Sequence, residues 1–246
     1  MINDRITILG IPFDQVTLEE AITRLLQILA EDLQQPFFVA TPNPEMLLET
    51  LKNHEFKNVL QKTGLNIPDG VGIIFAAKVN GTPLKERVTG TDLMQHLCAK
   101  ITPETPVFLL GGATGVAEKT KEKLLSHKKI NIVGTYAGSP AAANDQKLRE
   151  IVNAAAPELL FVAYGAPKQE LWLARNLPHL KSVKVAIGVG GAFDFISGAR
   201  KRAPLIMQKL ALEWLYRLIQ EPHRIKRIFN AVVVFPLLFV LAKFKK

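Results

Sequence analysis

The sequence predicts an α/β fold with a mostly parallel sheet flanked by helices, followed by a C-terminal appendage of different character. Three observations predict it. Short apolar runs alternate with helical patterns over short connections, the mark of repeated strand–helix units. Such units end on polar residues at Thr41, Asp69, Tyr136, Gln169 and Asp194. Ligands of parallel sheets bind outside the carboxyl ends of the strands, so these five are expected to converge on one pocket. From Arg200 onward the chain turns basic and then apolar, which divides a core of residues 1–198 from an appendage of residues 199–246.

With 246 residues, 48% hydrophobic and 22% charged, the chain can bury one large core and carry a smaller appendage. A formal net charge of +9 points to an anionic partner: nucleotide phosphate, nucleic acid or an acidic membrane surface. The single cysteine, Cys98, lies in a helical pattern and cannot form an internal disulfide, so it is read as core and a reducing compartment is expected. Residues 1–5 lack the basic-then-apolar layout of a signal peptide, so export is not expected.

Taken in order, residues 6–9 form a short strand that Pro12 breaks, and Thr17 with Glu20 makes a capping box for a helix carrying Ala21, Leu25, Leu26 and Leu29. Residues 37–40 are the next strand, which stops at Thr41-Pro42-Asn43-Pro44, where two prolines stiffen a polar loop ahead of a helix. After a second helix comes Asn66-Ile67-Pro68-Asp69-Gly70-Val71-Gly72. Pro68 fixes φ and Gly70 permits unusual φ, so Asp69 is held on a tight turn. Asp69 is either a site carboxylate or only a turn residue or N-cap of the helix starting near Val71. Residues 73–79 are apolar, the loop at 83–90 is basic, and Thr91 or Asp92 is expected to cap the next helix.

Residues 106–110 are a buried strand running into Gly111-Gly112-Ala113-Thr114-Gly115. Its outline is that of a nucleotide-binding turn, yet it lacks the full G-x-G-x-x-G pattern and no acid is placed for a ribose, which argues against a dehydrogenase. Close helix–strand packing explains these glycines nearly as well. Residues 130–134 lead to a small-residue loop with Tyr136 and Gly138, where Tyr136 either stacks on a base or simply packs. Residues 158–163 run through Gly165-Ala166-Pro167 into a helix opened by Lys168, Gln169 and Glu170. The last strand, 183–189, runs into Gly190-Gly191-Ala192-Phe193-Asp194.

The tail places Arg200, Lys201, Arg202, Lys209, Arg217, Arg224, Lys226 and Arg227 ahead of an apolar run at 231–242, with Lys243, Lys245 and Lys246 closing the chain. The run is about a dozen residues with a proline inside, and a spanning helix needs roughly 20. It is therefore expected to lie in the interface of an anionic leaflet rather than cross it, with a core or dimer helix as the alternative. Arg217, Arg224 and Arg227 recur at spacings of seven and three, so on one helix they would share a face. Such a stripe is either a solvated or lipid-facing surface or a phosphate clamp, since arginine forks match phosphate oxygens. No helix-turn-helix, zinc or RNA-binding motif accompanies it, so nucleic acid is not the expected partner.

Six blocks together resemble the WecG/TagA/CpsF glycosyltransferases: Thr41-Pro42-Asn43-Pro44-Glu45, Pro68-Asp69-Gly70-Val71-Gly72, Arg87-Val88-Thr89-Gly90-Thr91-Asp92, Gly165-Ala166-Pro167-Lys168-Gln169-Glu170, Gly188-Val189-Gly190-Gly191-Ala192-Phe193-Asp194 and Glu213-Trp214-Leu215-Tyr216-Arg217. They cover nearly the whole chain in order and sit closest to the TagA type of wall teichoic acid synthesis. The resemblance implies a Rossmann-like core with a C-terminal helical appendage that docks on the membrane and completes the site. It implies transfer of N-acetylmannosamine from UDP-ManNAc to undecaprenyl-diphosphate-GlcNAc, with inversion and a β-1,4 linkage, at the cytoplasmic membrane face.

On the same ground Asp69 would be the general base, Thr41 and Asn43 would line the sugar pocket, and Arg87 and Gln169 would bind substrate near the reacting centre. Tyr136, Gly138 and Asp194 would hold the uridine. Arg217, Arg224 and Arg227 would neutralise diphosphate charge. No Asp-x-Asp pair of the kind that holds a divalent ion occurs, so arginines are expected to do that work without a metal or other cofactor. The alternatives are a uronate form of the donor sugar, or a non-catalytic nucleotide- or nucleic-acid-binding module anchored by its tail. The apolar tail with its arginines also suggests a homo-oligomer off the membrane.

Overall fold

In the computed structural model, residues 5–210 and 212–244 are described, so the expectations for residues 1–4, Lys245 and Lys246 lie outside the described residues. The chain opens with a hairpin, β1 (Arg5–Ile8) against β2 (Ile11–Asp14). Leu9 and Gly10 both take positive φ, 49° and 81°, which gives the turn the hand that matches strand twist. The expected break at Pro12 is thus corrected. Pro12 pairs with Thr7 inside the second strand, and a two-stranded ribbon tolerates a proline because each strand has a free edge. Asp14 fixes the hairpin to the main sheet: it takes the Arg5 guanidinium at 3.0 Å and the Asn66 N–H at 2.8 Å.

Six parallel strands follow: β3 (Phe37–Ala40), β4 (Leu65–Asn66), β5 (Pro106–Gly111), β6 (Asn131–Tyr136), β7 (Leu159–Ala163) and β8 (Val185–Gly188). Their order is β4-β3-β8-β7-β5-β6. The two central strands, β7 and β8, are buried along their whole length and read as unbroken apolar runs, as a strand covered on both faces must. One face is covered by helices Leu18–Ala30, Gly90–Lys100 and Val116–His127 through Leu25, Leu93, Leu97 and Ala117. Across the other face, helices Asp145–Ala155 and Lys168–Asn176 seat Leu148, Val152, Trp172 and Leu173. The capping box of Thr17 and Glu20 forms as expected. The cap of helix Gly90–Lys100 is Thr89, whose hydroxyl takes the Asp92 N–H, and neither Thr91 nor Asp92 plays that part. Cys98 is buried among the apolar side chains, which pushes its thiol up to about 12.

The tail is helical throughout most of its described length. Helices Leu205–Lys209 and Glu213–Gln220 come first, and Pro222 to Lys243 then runs as one rod of 22 residues, within which an 18-residue stretch reaches a mean hydropathy of 2.0. The expected dozen-residue apolar run is therefore only part of a longer helix, and by length and composition alone that helix could cross a membrane. Pro236 does not break it because it falls at the start of helix Phe235–Phe244, next to the π-helical turn Asn230–Val234 that accommodates it. Phe235 and Phe239 stack with centroids 6.3 Å apart and are buried with Ile73, Ala76 and Ala77 of helix Val71–Val79. Gly72 makes room for this contact, since a Cβ there would lie 2.7 Å from Pro44 Cγ and 3.3 Å from Phe235 Cδ1. Ile225, Phe229, Val233, Leu237 and Leu241 recur every fourth residue and are exposed.

Candidate active site

A cleft of about 1230 Å³ opens above the carboxyl ends of β3, β4, β7 and β8. The loops beneath it are tied backbone to backbone: Asp69 N–H donates to Pro42 C=O at 3.0 Å, and Val88 N–H to Pro68 C=O at 2.9 Å. Thr41 Oγ1 donates to Gly188 C=O at 3.3 Å, joining the ends of β3 and β8. Gly90 packs into that crossing, where a Cβ would meet Val189 C=O at 3.2 Å. Asn43 caps helix Pro44–Thr50 with Oδ1 on the Met46 N–H at 3.0 Å, which leaves its Nδ2 as the group available to a ligand.

Asp69 is not a cap. The N-cap of helix Val71–Val79 is Gly70, at φ 89°, and it offers no side chain. The turn leaves the Asp69 carboxylate half-buried on the cleft wall, and among the described residues no side chain is hydrogen-bonded or ion-paired to it. Burial pushes its carboxyl up to about 7; Arg87 and Arg217 oppose this, and Glu213 and Asp92 reinforce it. A carboxyl that titrates near neutrality in a cleft is suited to taking a proton from a hydroxyl.

Of the five strand-end positions, Thr41, Asp69, Gln169 and Asp194 line the cleft together. Tyr136 does not line it, because β6 is the far edge strand. Its half-buried ring stands beside Tyr164, which does line the cleft, and Lys147 Nζ lies 6.0 Å from its centroid. Gly138, at φ 58°, is set just behind: a Cβ would come within 2.8 Å of Leu148 and 2.9 Å of the Tyr164 hydroxyl. Gln169 is buried and its amide oxygen is fully committed. Its Oε1 accepts the N–H groups of Gly165 and Gly190, each at 3.0 Å, and its Nε2 donates to Glu170 Oε1 at 2.7 Å. The structure gives Gln169 a task that the sequence did not suggest, clamping the loops after β7 and β8. Burial pushes Glu170 up to about 7, against the hydrogen bond from Gln169.

The tail forms the roof. Arg217, Arg224 and Arg227 all line the cleft, but they do not share the face of one helix as their spacing suggested: the helix carrying Arg217 ends before Glu221, whose φ of −130° and ψ of 70° turn the chain into Pro222. What gathers the cations is carboxylates that the spacing argument passed over. Glu221 takes Arg200 at 3.0 Å, Arg224 at 2.7 Å and Arg217 at 3.6 Å, and Arg200 reaches Asp194 at 3.4 Å. Arg217 also lies over the Phe195 ring at 5.5 Å. Arg227 crosses to Glu45 at 2.6 Å.

A second chain of alternating charges begins with Asp92, which holds both Nη atoms of Arg202 at 2.5 and 2.8 Å. Arg202 reaches Glu213 at 3.5 Å, and Glu213 takes Arg87 at 2.6 Å. Burial alone would raise the Asp92 carboxyl, yet the Arg202 fork and the Thr89 hydroxyl hold it below the ordinary range. Asp92 and Glu213 stand inside sequence blocks already singled out, and the alternation of sign at every fourth residue, Lys209, Glu213, Arg217 and Glu221, was a readable signal for the last of these carboxylates.

Known proteins are similar to this chain in sequence. Residues 6–246 match the profile of the Glycosyl transferase WecG/TagA/CpsF family. A protein of Bacillus spizizenii (strain ATCC 23059 / NRRL B-14472 / W23), named N-acetylglucosaminyldiphosphoundecaprenol N-acetyl-beta-D-mannosaminyltransferase, is 34% identical over 201 residues, which is 81% of this chain and 77% of that protein.

Proposed function

Because the chain belongs to the WecG/TagA/CpsF glycosyltransferase family, we propose that it transfers N-acetylmannosamine from UDP-ManNAc to the 4-hydroxyl of the sugar of GlcNAc-diphospho-undecaprenol, with inversion to a β-1,4 linkage. The observation that carries the reading is the unpaired Asp69 carboxylate, held up to about 7 in a cleft roofed by arginines. In the proposed step Asp69 takes the proton of the acceptor hydroxyl as that oxygen bonds to the anomeric carbon. The bond from that carbon to the UDP oxygen breaks on the opposite side, and the charge arriving on UDP is met by Arg217, Arg224 and Arg227. Thr41 and Asn43 face the sugar, with Arg87 and Gln169 near the reacting centre. Asp194 and, at the far edge, Tyr136 and Gly138 take the uridine. The arginines supply the compensating charge that a divalent ion supplies elsewhere, so metal independence belongs to the proposal.

The core of residues 1–198 carries the base, and residues 199–246 carry the arginines, so the appendage completes the site. Its outward apolar stripe and cations suit an anionic membrane surface at the cytoplasmic face, where a lipid-linked acceptor resides. The buried contacts of Phe235 and Phe239 favour a helix lying along the core over one crossing the bilayer. Without lipid, the same stripe is open to a second copy of the chain.

The test is donor profiling with a short lipid-linked GlcNAc acceptor, offering UDP-ManNAc, its uronate and UDP-GlcNAc. UDP-ManNAc is the expected substrate, EDTA leaves the rate unchanged, and Asp69→Asn keeps UDP binding while losing roughly 10²-fold or more in turnover. Preference for the uronate would reassign the donor, and full turnover by Asp69→Asn would remove the base.

A further inference from the structure

Glu213 has no task in the reading above, yet it stands at the start of the tail helix that roofs the cleft. Arg87 lies close enough to Asp69 to pull its proton affinity down, and it is set beside it by the Val88 to Pro68 hydrogen bond. An arginine next to an unpaired, half-buried carboxylate ordinarily forms a fork on it. Here the fork goes elsewhere: Arg87 Nη1 lies 2.6 Å from Glu213 Oε2, and Arg202, itself anchored on Asp92, steadies the other oxygen of Glu213 at 3.5 Å.

We propose that Glu213 is a positioning residue that draws Arg87 off Asp69, so that the base is free only while helix Glu213–Gln220 is seated on the core. The proposal rests on the reading of Asp69 as the base. It ties the tail to the chemistry through proton transfer, separately from any charge the tail lends to diphosphate. With the helix seated, Arg87 is held by Glu213 and the Asp69 oxygens stay open to an acceptor hydroxyl. With the helix lifted, Arg87 loses its partner and closes on Asp69, which both blocks the oxygens and weakens the base.

The charged groups facing Asp69 are Arg87 from the segment leading into helix Gly90–Lys100, Asp92 from the first turn of that helix, and Glu213 and Arg217 from helix Glu213–Gln220. The loops Thr41–Pro44 and Gly188–Gly191 bring no charge. Removing Glu213 therefore deletes a negative neighbour and releases a positive one. Both changes move the Asp69 titration in the same direction, downward.

The experiment is the pH dependence of kcat/KM for the full chain on vesicles with lipid-linked acceptor, comparing wild type, Glu213→Gln, Glu213→Asp and Asp69→Asn. Wild type loses activity as pH falls through about 7, where the base takes up its proton. Glu213→Gln shifts that acidic limb down by about one pH unit and lowers the plateau roughly tenfold. Glu213→Asp, which keeps the charge, returns the limb toward the wild-type position. A limb that stays in place in Glu213→Gln while the rate falls overturns the proposal, because a helix merely loosened would behave that way; an unchanged rate and limb overturns it as well. Asp69→Asn separates the layers. If it is inactive and Glu213→Gln leaves the limb in place, only the role of Glu213 fails. If Asp69→Asn is active, the base assignment fails with it.

Discussion

At the scale of single residues, the tight turn that holds Asp69 was legible from its neighbours, while the choice between a cleft carboxylate and a helix cap waited for the fold. Pro68 and Gly70 are the residues a rigid turn with one positive φ requires, and the turn aims a carboxylate into the cleft instead of onto a helix end. Glu213 was not legible in the same way, since its partner Arg87 lies on the other side of the core sequence and only the folded chain brings them together. Glu170 shows a related limit: it opens a helix, a position that ordinarily favours an exposed acid, yet it is buried and one of its oxygens, Oε2, has no partner among the described residues. A sign follows from its titration. The folded carboxyl keeps its proton up to about 7, whereas the unfolded one releases it near the ordinary value of 4.5. Between those limits the folded state holds more protons, so its stability falls as pH rises. Glu170→Gln removes that penalty. Its thermal midpoint is expected to exceed wild type at pH 8, by roughly 2–4 °C per kcal/mol gained, and to match wild type near pH 4. Equal midpoints at pH 8 would mean that the buried acid carries no charge penalty.

At the scale of elements, strands β3, β5, β7 and β8 followed the apolar runs closely, because a strand covered on both faces has little but its run to show. The hairpin was missed where propensity and topology disagree: Pro12 reads as a breaker, and its place in an isolated ribbon removes the objection. The tail arginines were misplaced on one face because spacing presumes a continuous helix, and the chain turns at Glu221. The attachment of the last helix depends mainly on Phe235 and Phe239, which no periodicity distinguishes from the exposed leucines around them. Phe235→Ala leaves a cavity between this helix and helix Val71–Val79 at a cost of about 3–5 kcal/mol. Since the last helix leans mainly on helices Val71–Val79 and Pro44–Thr50, the expected outcome is early proteolytic cleavage within the tail and a lowered kcat, while the core resists digestion and still binds UDP. Simultaneous loss of the core would show that the tail is integral to its folding.

At the scale of the molecule, the alternation of strands and helices made a parallel sheet legible, but not its order, which is settled by how helices pack across it. The exposed faces are equally a property of the whole. Leu205, Ile206, Leu210 and Ile219 are exposed by 71%, 72%, 63% and 68%, in addition to the stripe on the long helix, and large exposed apolar side chains gathered in one part of a chain mark an interaction surface. The full chain is expected to co-sediment with vesicles rich in anionic lipid and only weakly with neutral ones, with binding that declines as salt rises. Replacing Leu237 and Leu241 by Asp weakens binding roughly tenfold per leucine and leaves UDP affinity intact; unaltered sedimentation would place the docking face elsewhere. The strand order has a consequence for how the chain is made. Synthesis delivers β3 and β4, then β5 and β6, as two pairs that cannot touch each other, and the strands that join them, β7 and β8, emerge last. Until then each pair carries a bare inner edge open to stray pairing. A ribosome stalled short of residue 185 therefore holds two half-sheets and no cleft, and Asp69, made early, gains the loop clamps and the roof around it only within the final quarter of translation.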